Sequence, residues 1–365
     1  MPAARCKRRR KRWQWALRIT LFLIAGCSLL VAYRLNRLGF LSSTNTLSSQ
    51  ADVRTSLIEL PAPSEDIAVD PLSGALILSC GGLQEGGRGQ TLALLRTGSD
   101  RPEVIQTDAP DDFHPHGIDS VQLDDQRSRL FVVNHRQRSR PTIEIFDLYA
   151  SLKPPKASHV ETIDSIFLEF PNDIAAYDAE SFYVTNNPDQ TKLSQRLRMF
   201  LGVTRGEILW YDADGFRRFH SNGFTNGIAL SPERDRLYVA HTLTGKISAF
   251  YIAEKKNLST KVTTYLYKLR FDNLFVGDNG SILAAAHTDL LALAGHRKNQ
   301  QNDSGWEAYR IDPQSFQATK IAGDDGSTIS GISVAAYWNG AYYFGSVGDP
   351  YLLKATPLSP APAAP

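Results

Sequence analysis

Six short segments of this chain share one pattern, and a simple two-layer fold does not account for six copies in order. They are Ser64-Glu65-Asp66-Ile67-Ala68-Val69, Pro115-His116-Gly117-Ile118-Asp119-Ser120, Pro171-Asn172-Asp173-Ile174-Ala175-Ala176, Thr225-Asn226-Gly227-Ile228-Ala229-Leu230, Phe271-Asp272-Asn273-Leu274-Phe275-Val276 and Ile329-Ser330-Gly331-Ile332-Ser333-Val334. Each sets a polar residue, then Asp, Asn or Gly, ahead of Ile or Leu. Successive lead positions stand 46 to 58 residues apart. Each segment runs into a turn and a β-forming stretch, as where Asp70-Pro71-Leu72-Ser73-Gly74 precedes Ala75-Leu76-Ile77-Leu78 and Asn339-Gly340 precedes Tyr342-Tyr343-Phe344. That is hairpin grammar. Several strands per unit at a period of roughly 40–50 residues mark a β-propeller. The expected fold is therefore all-β, a six-bladed β-propeller whose repeated segments open the innermost strands and meet at one mouth of the central channel. A β-sandwich with chance likeness between hairpins is the alternative, and six ordered copies argue against it.

The polar pairs inside these segments need partners. Leaving one such group buried and unpaired costs about 2–7 kcal/mol. The lead positions supply Glu65, His116, Asn172, Asn226, Asp272 and Ser330, and the next positions add Asp66, Asp173 and Asn273. The set is rich in carboxylates and carboxamides, with a single imidazole and no thiol. Calcium takes 6–8 oxygen ligands, whereas zinc wants His or Cys. Glu65, Asn172, Asn226, Asp272 and Asn273 suit one calcium ion. Asp66 and Asp173, turned the other way by strand alternation, suit a second ion deeper in the channel, helped by a backbone carbonyl. Hydrogen bonding from blade to blade is the structural alternative for the same residues.

Charge separates the N-terminus from the body. The net charge is +2, but the first forty residues hold ten Lys or Arg and no acid, so the remainder carries 30 basic against 38 acidic residues. An acidic body argues against nucleic acid as a partner. Lys7-Arg8-Arg9-Arg10-Lys11-Arg12 precedes an apolar run from Ile19 to Tyr33, somewhat short of the ~20 residues of a full span. The expected organisation is a basic cytoplasmic segment and signal-anchor or signal helix over residues 1–40, a Ser/Thr-rich linker over 41–53, the propeller over 54–356 and a Pro/Ala-rich disordered tail over 357–365. The basic cluster places the body on the extracytoplasmic side, with the N-terminal helix as the membrane contact. A cleaved signal peptide and a lipoprotein box at Ile24-Ala25-Gly26-Cys27 are the alternatives, and both also export the body. Cys80 is the only cysteine of the body, so no disulfide forms within it.

Other stretches are less telling. Thr191 to Leu201 places Leu193, Leu197, Phe200 and Leu201 on one helical face, a helix that either caps the channel or packs on a blade edge. There is no G-x-S-x-G elbow, and the Gly-rich stretch from Gly81 to Gly89 lacks the Lys-Ser/Thr of a P-loop. Asp212-Ala213-Asp214-Gly215 reads as a hairpin turn.

Phe113-His114-Pro115-His116-Gly117-Ile118, Phe131-Val132-Val133-Asn134-His135, Pro171-Asn172-Asp173-Ile174, Asn226-Gly227-Ile228 and Asp272-Asn273 together resemble the motifs of the serum paraoxonase/arylesterase family. The resemblance runs from about Ser64 to Leu353. It implies a six-bladed propeller with two calcium ions that hydrolyses lactones and aryl esters. By match, Glu65, Asn172, Asn226, Asp272 and Asn273 bind the catalytic calcium; Asp66, Asp173 and the Ile118 carbonyl bind the structural one; His116 and His135 form the histidine dyad. Three departures stand out. The family's cysteine bridge has no counterpart, a histidine after the third blade's Thr-Asn pair is replaced near Asn187-Pro188, and the 81–89 loop is glycine-rich. For mechanism, His116 with His135 behind it is one candidate base, and Asp272, as base or nucleophile, is the other. His287 is a pocket or core residue, and Phe224 is an apolar wall for an acyl or aryl group or plain core. The expected substrate is a small lipophilic lactone or ester. The competing reading is a propeller, gluconolactonase-like or strictosidine-synthase-like, that binds a ligand or partner without this chemistry.

Overall fold

Each repeated segment opens the innermost strand of an antiparallel blade, and six blades close into a propeller. The structure, a computed structural model, describes residues 2–37, 48–49, 53–81, 90–136, 139–189, 192–201, 203–220, 223–253, 256–266, 269–299 and 302–358. The innermost strands are Ser64–Val69, Pro115–Gln122, Pro171–Ala176, Thr225–Leu230, Arg270–Val276 and Ile332–Trp338. Four blades have four strands, and the second and fifth carry a short fifth strand at the rim. The rim strand of blade 5 is Ser48–Ser49, paired with Gly323 and Ala322; it comes from the stretch expected to be linker.

Blades stack face to face, so their middle strands are buried on both sides and read as continuous apolar runs. In Leu76–Cys80, Leu76, Leu78 and Cys80 pack toward blade 6, while Ile77 packs toward blade 2 beside Leu130, Val132 and Phe146. Burial pushes the Cys80 thiol up to about 12, so it is an apolar filler and no nucleophile.

The two ends of the propeller close the ring together. Val53–Glu59 is the outermost strand of blade 6, antiparallel to Tyr351–Pro357, from Val53↔Pro357 to Glu59↔Tyr351. This ladder joins the first and last strands where no cysteine bridge is available; among the described residues Cys27 and Cys80 are free thiols.

Among the described residues three α-helices accompany the blades. The first, α1 (Pro2–Arg37), contains an apolar stretch of 24 residues, Trp13–Asn36, long enough to cross a bilayer and unburied by the rest of the chain. It exceeds the run anticipated from Ile19 to Tyr33. The second, α2 (Leu193–Leu201), follows the second strand of blade 3. Its Leu193, Leu197 and Leu201 are exposed, and Met199 reaches the channel mouth. The Leu201 carbonyl accepts a hydrogen bond from Arg34 of α1. The helix thus meets the channel mouth through Met199 while its leucines point outward. The third, α3 (Leu290–Lys298), lies after the second strand of blade 5. The 82–89 glycine loop and the tail from residue 359 lie outside the described residues.

Candidate active site

The inner strands deliver polar side chains to the channel by one local irregularity used six times. The pairing of first with second strand breaks between Ser64 and Asp66, Pro115 and Ile118, Pro171 and Ile174, Thr225 and Ile228, Phe271 and Leu274, and Ile332 and Val334. A bulge releases the intervening residues from the ladder and re-aims their side chains. In blades 1 to 5 they include the lead residues Glu65, His116, Asn172, Asn226 and Asp272, whereas in blade 6 the released residue is Ser333 and Ser330 precedes the strand. Strict alternation would send neighbours to opposite faces of a blade. The bulge instead points both along the channel, at different depths.

Two cavities result. The upper one, about 300 Å³, is lined by Glu65, His116, His135, Asn172, Asn226, Asp272 and His287, with Phe224, Phe170, Met199, Thr242, Leu243, Leu290, Leu293, Ala294 and Val347 as further wall. The lower one, about 270 Å³, includes Asp66, Ile118, Asp119 and Asp173 in its lining. Asn172 and Asp173, adjacent in sequence, thus open onto different cavities. Asn273 is fully buried between the two, its Nδ2 donating to the Glu65 carbonyl at 2.9 Å and to Glu65 Oε2 at 3.0 Å.

The lower carboxylates stitch blade to blade. Asp66 Oδ1 accepts from Ile67 N at 2.8 Å and Oδ2 from Ile118 N at 2.9 Å. Asp173 repeats this with Ile174 N at 2.7 Å and Ile228 N at 2.8 Å. Asp119 does so with Ser120 N and Ala176 N, both at 2.8 Å. Blades 1 to 4 are linked in series. Burial first, then the charge of Glu65, holds Asp66 well above the usual carboxylate range, and burial first, then the charge of Asp66, does the same to Asp173.

This crowding explains the third position of the repeat, whose alternation was not read from the sequence. Blades 1, 3 and 5 carry Asp66, Asp173 and Asn273, and blades 2, 4 and 6 carry Gly117, Gly227 and Gly331. A Cβ on Gly117 would lie 2.5 Å from Asp173 Cα, and one on Gly227 2.5 Å from the Asp272 carbonyl oxygen. Backbone cannot yield as a flexible side chain does, so Gly117→Ala is expected to cost about 2–3 kcal/mol or more. A urea midpoint equal to that of the wild type would show that the blades tolerate the methyl group.

In the upper cavity the titratable groups come in pairs. His116 Nδ1 is 2.8 Å from Glu65 Oε2. His287 Nε2 is 2.6 Å from Asp272 Oδ2, and Asn226 Nδ2 donates to Asp272 Oδ1. His135 packs edge-to-face on His116, with ring centroids 4.0 Å apart, and its Nε2 is 2.6 Å from the Pro171 carbonyl oxygen. A carbonyl only accepts, so Nε2 carries the proton and Nδ1 is left as an acceptor. Burial, and after it the neighbouring His116, pushes His135 well below the ordinary imidazole value and keeps it neutral.

Three carboxamide oxygens, Asn172 Oδ1, Asn226 Oδ1 and Asn273 Oδ1, are buried without a protein hydrogen-bond partner. Their amide groups cannot discard the acceptor by ionising, so the deficit calls for an external positive charge or donor. Among the described residues no three His, Cys, Asp or Glu side chains converge on a metal position. The donors here mix carboxylate with carboxamide, which favours a hard cation over zinc.

Sequence reasoning brought eight of the upper-cavity residues forward and missed the rest of its wall. Met199 and Leu243 carry no local signal. The α3 wall did carry one, since Asp289 precedes a Leu/Ala run and caps it. Asn187, at the position where the family's histidine is replaced, is buried away from the cavity and bolts blade 3 to blade 4. Its Nδ2 donates to the Thr225 carbonyl at 2.6 Å, and its Oδ1 accepts from Thr225 N at 3.0 Å.

Comparison with known proteins places the chain in a family. The Arylesterase family pattern matches residues 101–351. Serum paraoxonase/arylesterase 2 of Gallus gallus is 29% identical over 241 residues, covering 64% of this chain and 66% of that protein. Serum paraoxonase/arylesterase 1 of Homo sapiens is 27% identical over 249 residues, with the same coverage. The aligned stretch thus spans just under two thirds of the relatives' length. Among solved structures, a gluconolactonase from Xanthomonas campestris superposes with a TM-score of 0.55 at 16% identity, covering 86% of this chain and 95% of that one. A luciferin-regenerating enzyme gives a TM-score of 0.54 at 13% identity, covering 84% and 96%. At such identities these structures show the fold alone. The family match covers residues 101–351, more than half of the chain, a span that includes the inner strands of blades 2 to 6: this protein belongs to the arylesterase family.

Proposed function

We propose that this protein is a calcium-dependent carboxylic-ester hydrolase acting on lactones and aryl esters. The observation that carries the reading is the set of buried, unpartnered carboxamide oxygens of Asn172, Asn226 and Asn273 beside the His116–Glu65 and His287–Asp272 pairs. Glu65, Asn172, Asn226, Asp272 and Asn273 would hold a catalytic calcium. Asp66, Asp173 and the Ile118 carbonyl would hold a structural one, whose charge would relieve the repulsion between the two carboxylates. A calcium ion bound at the channel mouth supplies electrophilic stabilisation of a carbonyl oxygen as it gains negative charge.

The protein's own groups do the remaining work. Met199, Phe224, Leu243, Leu290 and Leu293 give the acyl or aryl group an apolar seat and keep bulk water off it. His135 stays neutral, with its proton committed to the Pro171 carbonyl, and so orients the His116 ring beside it. His116, steadied by Glu65, takes a proton from the attacking water during lactone opening. Asp272, clamped between the Asn226 amide and His287, is the competing base or nucleophile, with His287 as its immediate proton partner. The α1 helix anchors the 54–356 propeller to a membrane, with the Lys7–Arg12 cluster in the cytoplasm and the propeller on the extracytoplasmic side.

The test is turnover of phenyl acetate and of γ- and δ-lactones by the full chain, before and after chelation. Turnover should vanish with the cation and return when calcium is restored. Activity that persists in protein shown by elemental analysis to be metal-free overturns the proposal. Bound calcium without any turnover favours a ligand-binding propeller.

A further inference from the structure

The apolar side of the upper cavity depends on α3, a helix of nine residues that the blades do not contain. Leu290, Leu293 and Ala294 line the cavity from it. Asp289 fixes its start, Oδ1 accepting from Leu291 N at 2.7 Å and Ala292 N at 3.1 Å. Its other end is held by His296, which is 1% exposed and lines neither cavity. The ring is hydrogen-bonded through Nδ1 alone, and Nε2 is buried against blade 6 without a hydrogen-bond partner. Nδ1 is 2.7 Å from the Asn302 carbonyl oxygen, and Nε2 is 3.4 Å from Asp349 Oδ1. Asp349 is itself tied to the start of the sixth repeat, because its Oδ2 accepts from Ser330 N at 2.6 Å.

Blade 6 is cut to receive this helix. A Cβ on Gly348 would lie 2.1 Å from His296 Nε2, and a Cβ on Gly331 would lie 2.8 Å from Leu293 Cδ1. Two glycines thus leave the space that two α3 side chains fill, and close-packed interiors do not keep such space without an occupant. Val347, next to Gly348, lines the same cavity. The contact therefore joins two parts of the apolar wall, the helix and the segment that carries Val347.

We propose that His296 is a positioning residue that latches α3 to blade 6 and thereby sets the width of the substrate cavity. It acts on specificity through Leu290, Leu293 and Ala294, without touching the reacting atoms. The inference rests on the reading of the upper cavity as an ester and lactone pocket. Releasing the latch lets the helix wall retreat, which admits longer acyl or alkyl groups while leaving the channel-mouth residues in place.

The experiment compares wild type, His296→Leu, His296→Gln and Gly348→Ala in the full chain with calcium. The substrates are phenyl acetate and a γ-lactone bearing a long alkyl side chain. In both His296→Leu and Gly348→Ala the ratio of kcat/KM, long-chain lactone over phenyl acetate, should rise about fivefold or more. The change should lie in KM for the lactone, with kcat for phenyl acetate within about twofold of wild type. His296→Gln keeps one donor and should fall between, and hydrogen exchange of α3 amides should quicken in the same order. If one variant does not fold, the other carries the comparison. A ratio that stays constant or falls, or an equal loss on both substrates, overturns the latch. No turnover of either substrate by the wild type brings down the proposed function, and the latch with it.

Discussion

Asp272→Asn is expected to lower kcat for phenyl acetate by about a thousandfold or more with the fold intact. The substitution preserves volume. The new Oδ1 still accepts from Asn226 Nδ2, and His287 can present an acceptor nitrogen to the new amide. What is lost is the negative charge at the one point of the channel mouth where a carboxylate meets an imidazole at 2.6 Å and a carboxamide on its other oxygen. His116→Gln serves as the comparison. If His116 is the base for lactones and Asp272 for aryl esters, His116→Gln should cost about a hundredfold on lactones and much less on phenyl acetate. Circular dichroism and urea midpoints establish that both variants are folded. An Asp272→Asn protein within tenfold of wild type would remove this residue from the reacting centre.

The second large effect is on stability and separates two adjacent residues. Asp173→Ala leaves the buried N–H groups of Ile174 and Ile228 without their acceptor. At about 1–3 kcal/mol for each group, the two together cost about 2–6 kcal/mol, a large fraction of the roughly 5–15 kcal/mol of a typical domain, and the link between blades 3 and 4 goes with it. Asn172→Ala removes a side chain whose Oδ1 has no protein partner. Its expected effect is a stability change under about 1 kcal/mol with a large loss of rate. Equal destabilisation by the two changes would refute this division between a stitching residue and a channel-mouth residue.

The raised pKa values of Asp66 and Asp173 add a pH signature to the cation-free protein. Burial keeps both carboxyls protonated in the folded chain at pH values where the unfolded chain, with a carboxyl pKa of about 4, has released those protons. At these two carboxyls the folded state binds more protons, so their contribution to stability falls as pH rises from about 4 through the raised values, against the opposite contribution of His135, whose lowered value favours the folded chain as pH rises toward 6.5. Thermal unfolding of chelated protein should show that decline, and saturating calcium should flatten or reverse it. A chelated protein whose stability rises steadily from pH 4 to pH 7 would contradict the assignment.

Much of this protein is legible along the chain because its fold is a repeat. The order of polar residue, Asp, Asn or Gly, and then Ile or Leu recurs where each inner strand begins, and blade count, strand grammar and the channel-mouth residues follow from it. The apolar middle strands announce burial on both faces. Three things come only from the assembled ring. The depth separating Asn172 from Asp173 is set by a bulge, and a bulge is a property of a strand pair, invisible in one strand. The glycines at 117 and 227 answer backbone from the next blade more than forty residues away, and Gly331 answers Leu293 of α3. The α3 helix packs on blade 6 through His296 at Gly348 and Leu293 at Gly331, contacts that exist only after the ring has closed. The sequence by itself determined which groups reach the channel, because each local pattern carries its own turn and strand. Tertiary structure decided how deep each group lies and how wide the cavity is, because both depend on contacts between blades that no single repeat contains.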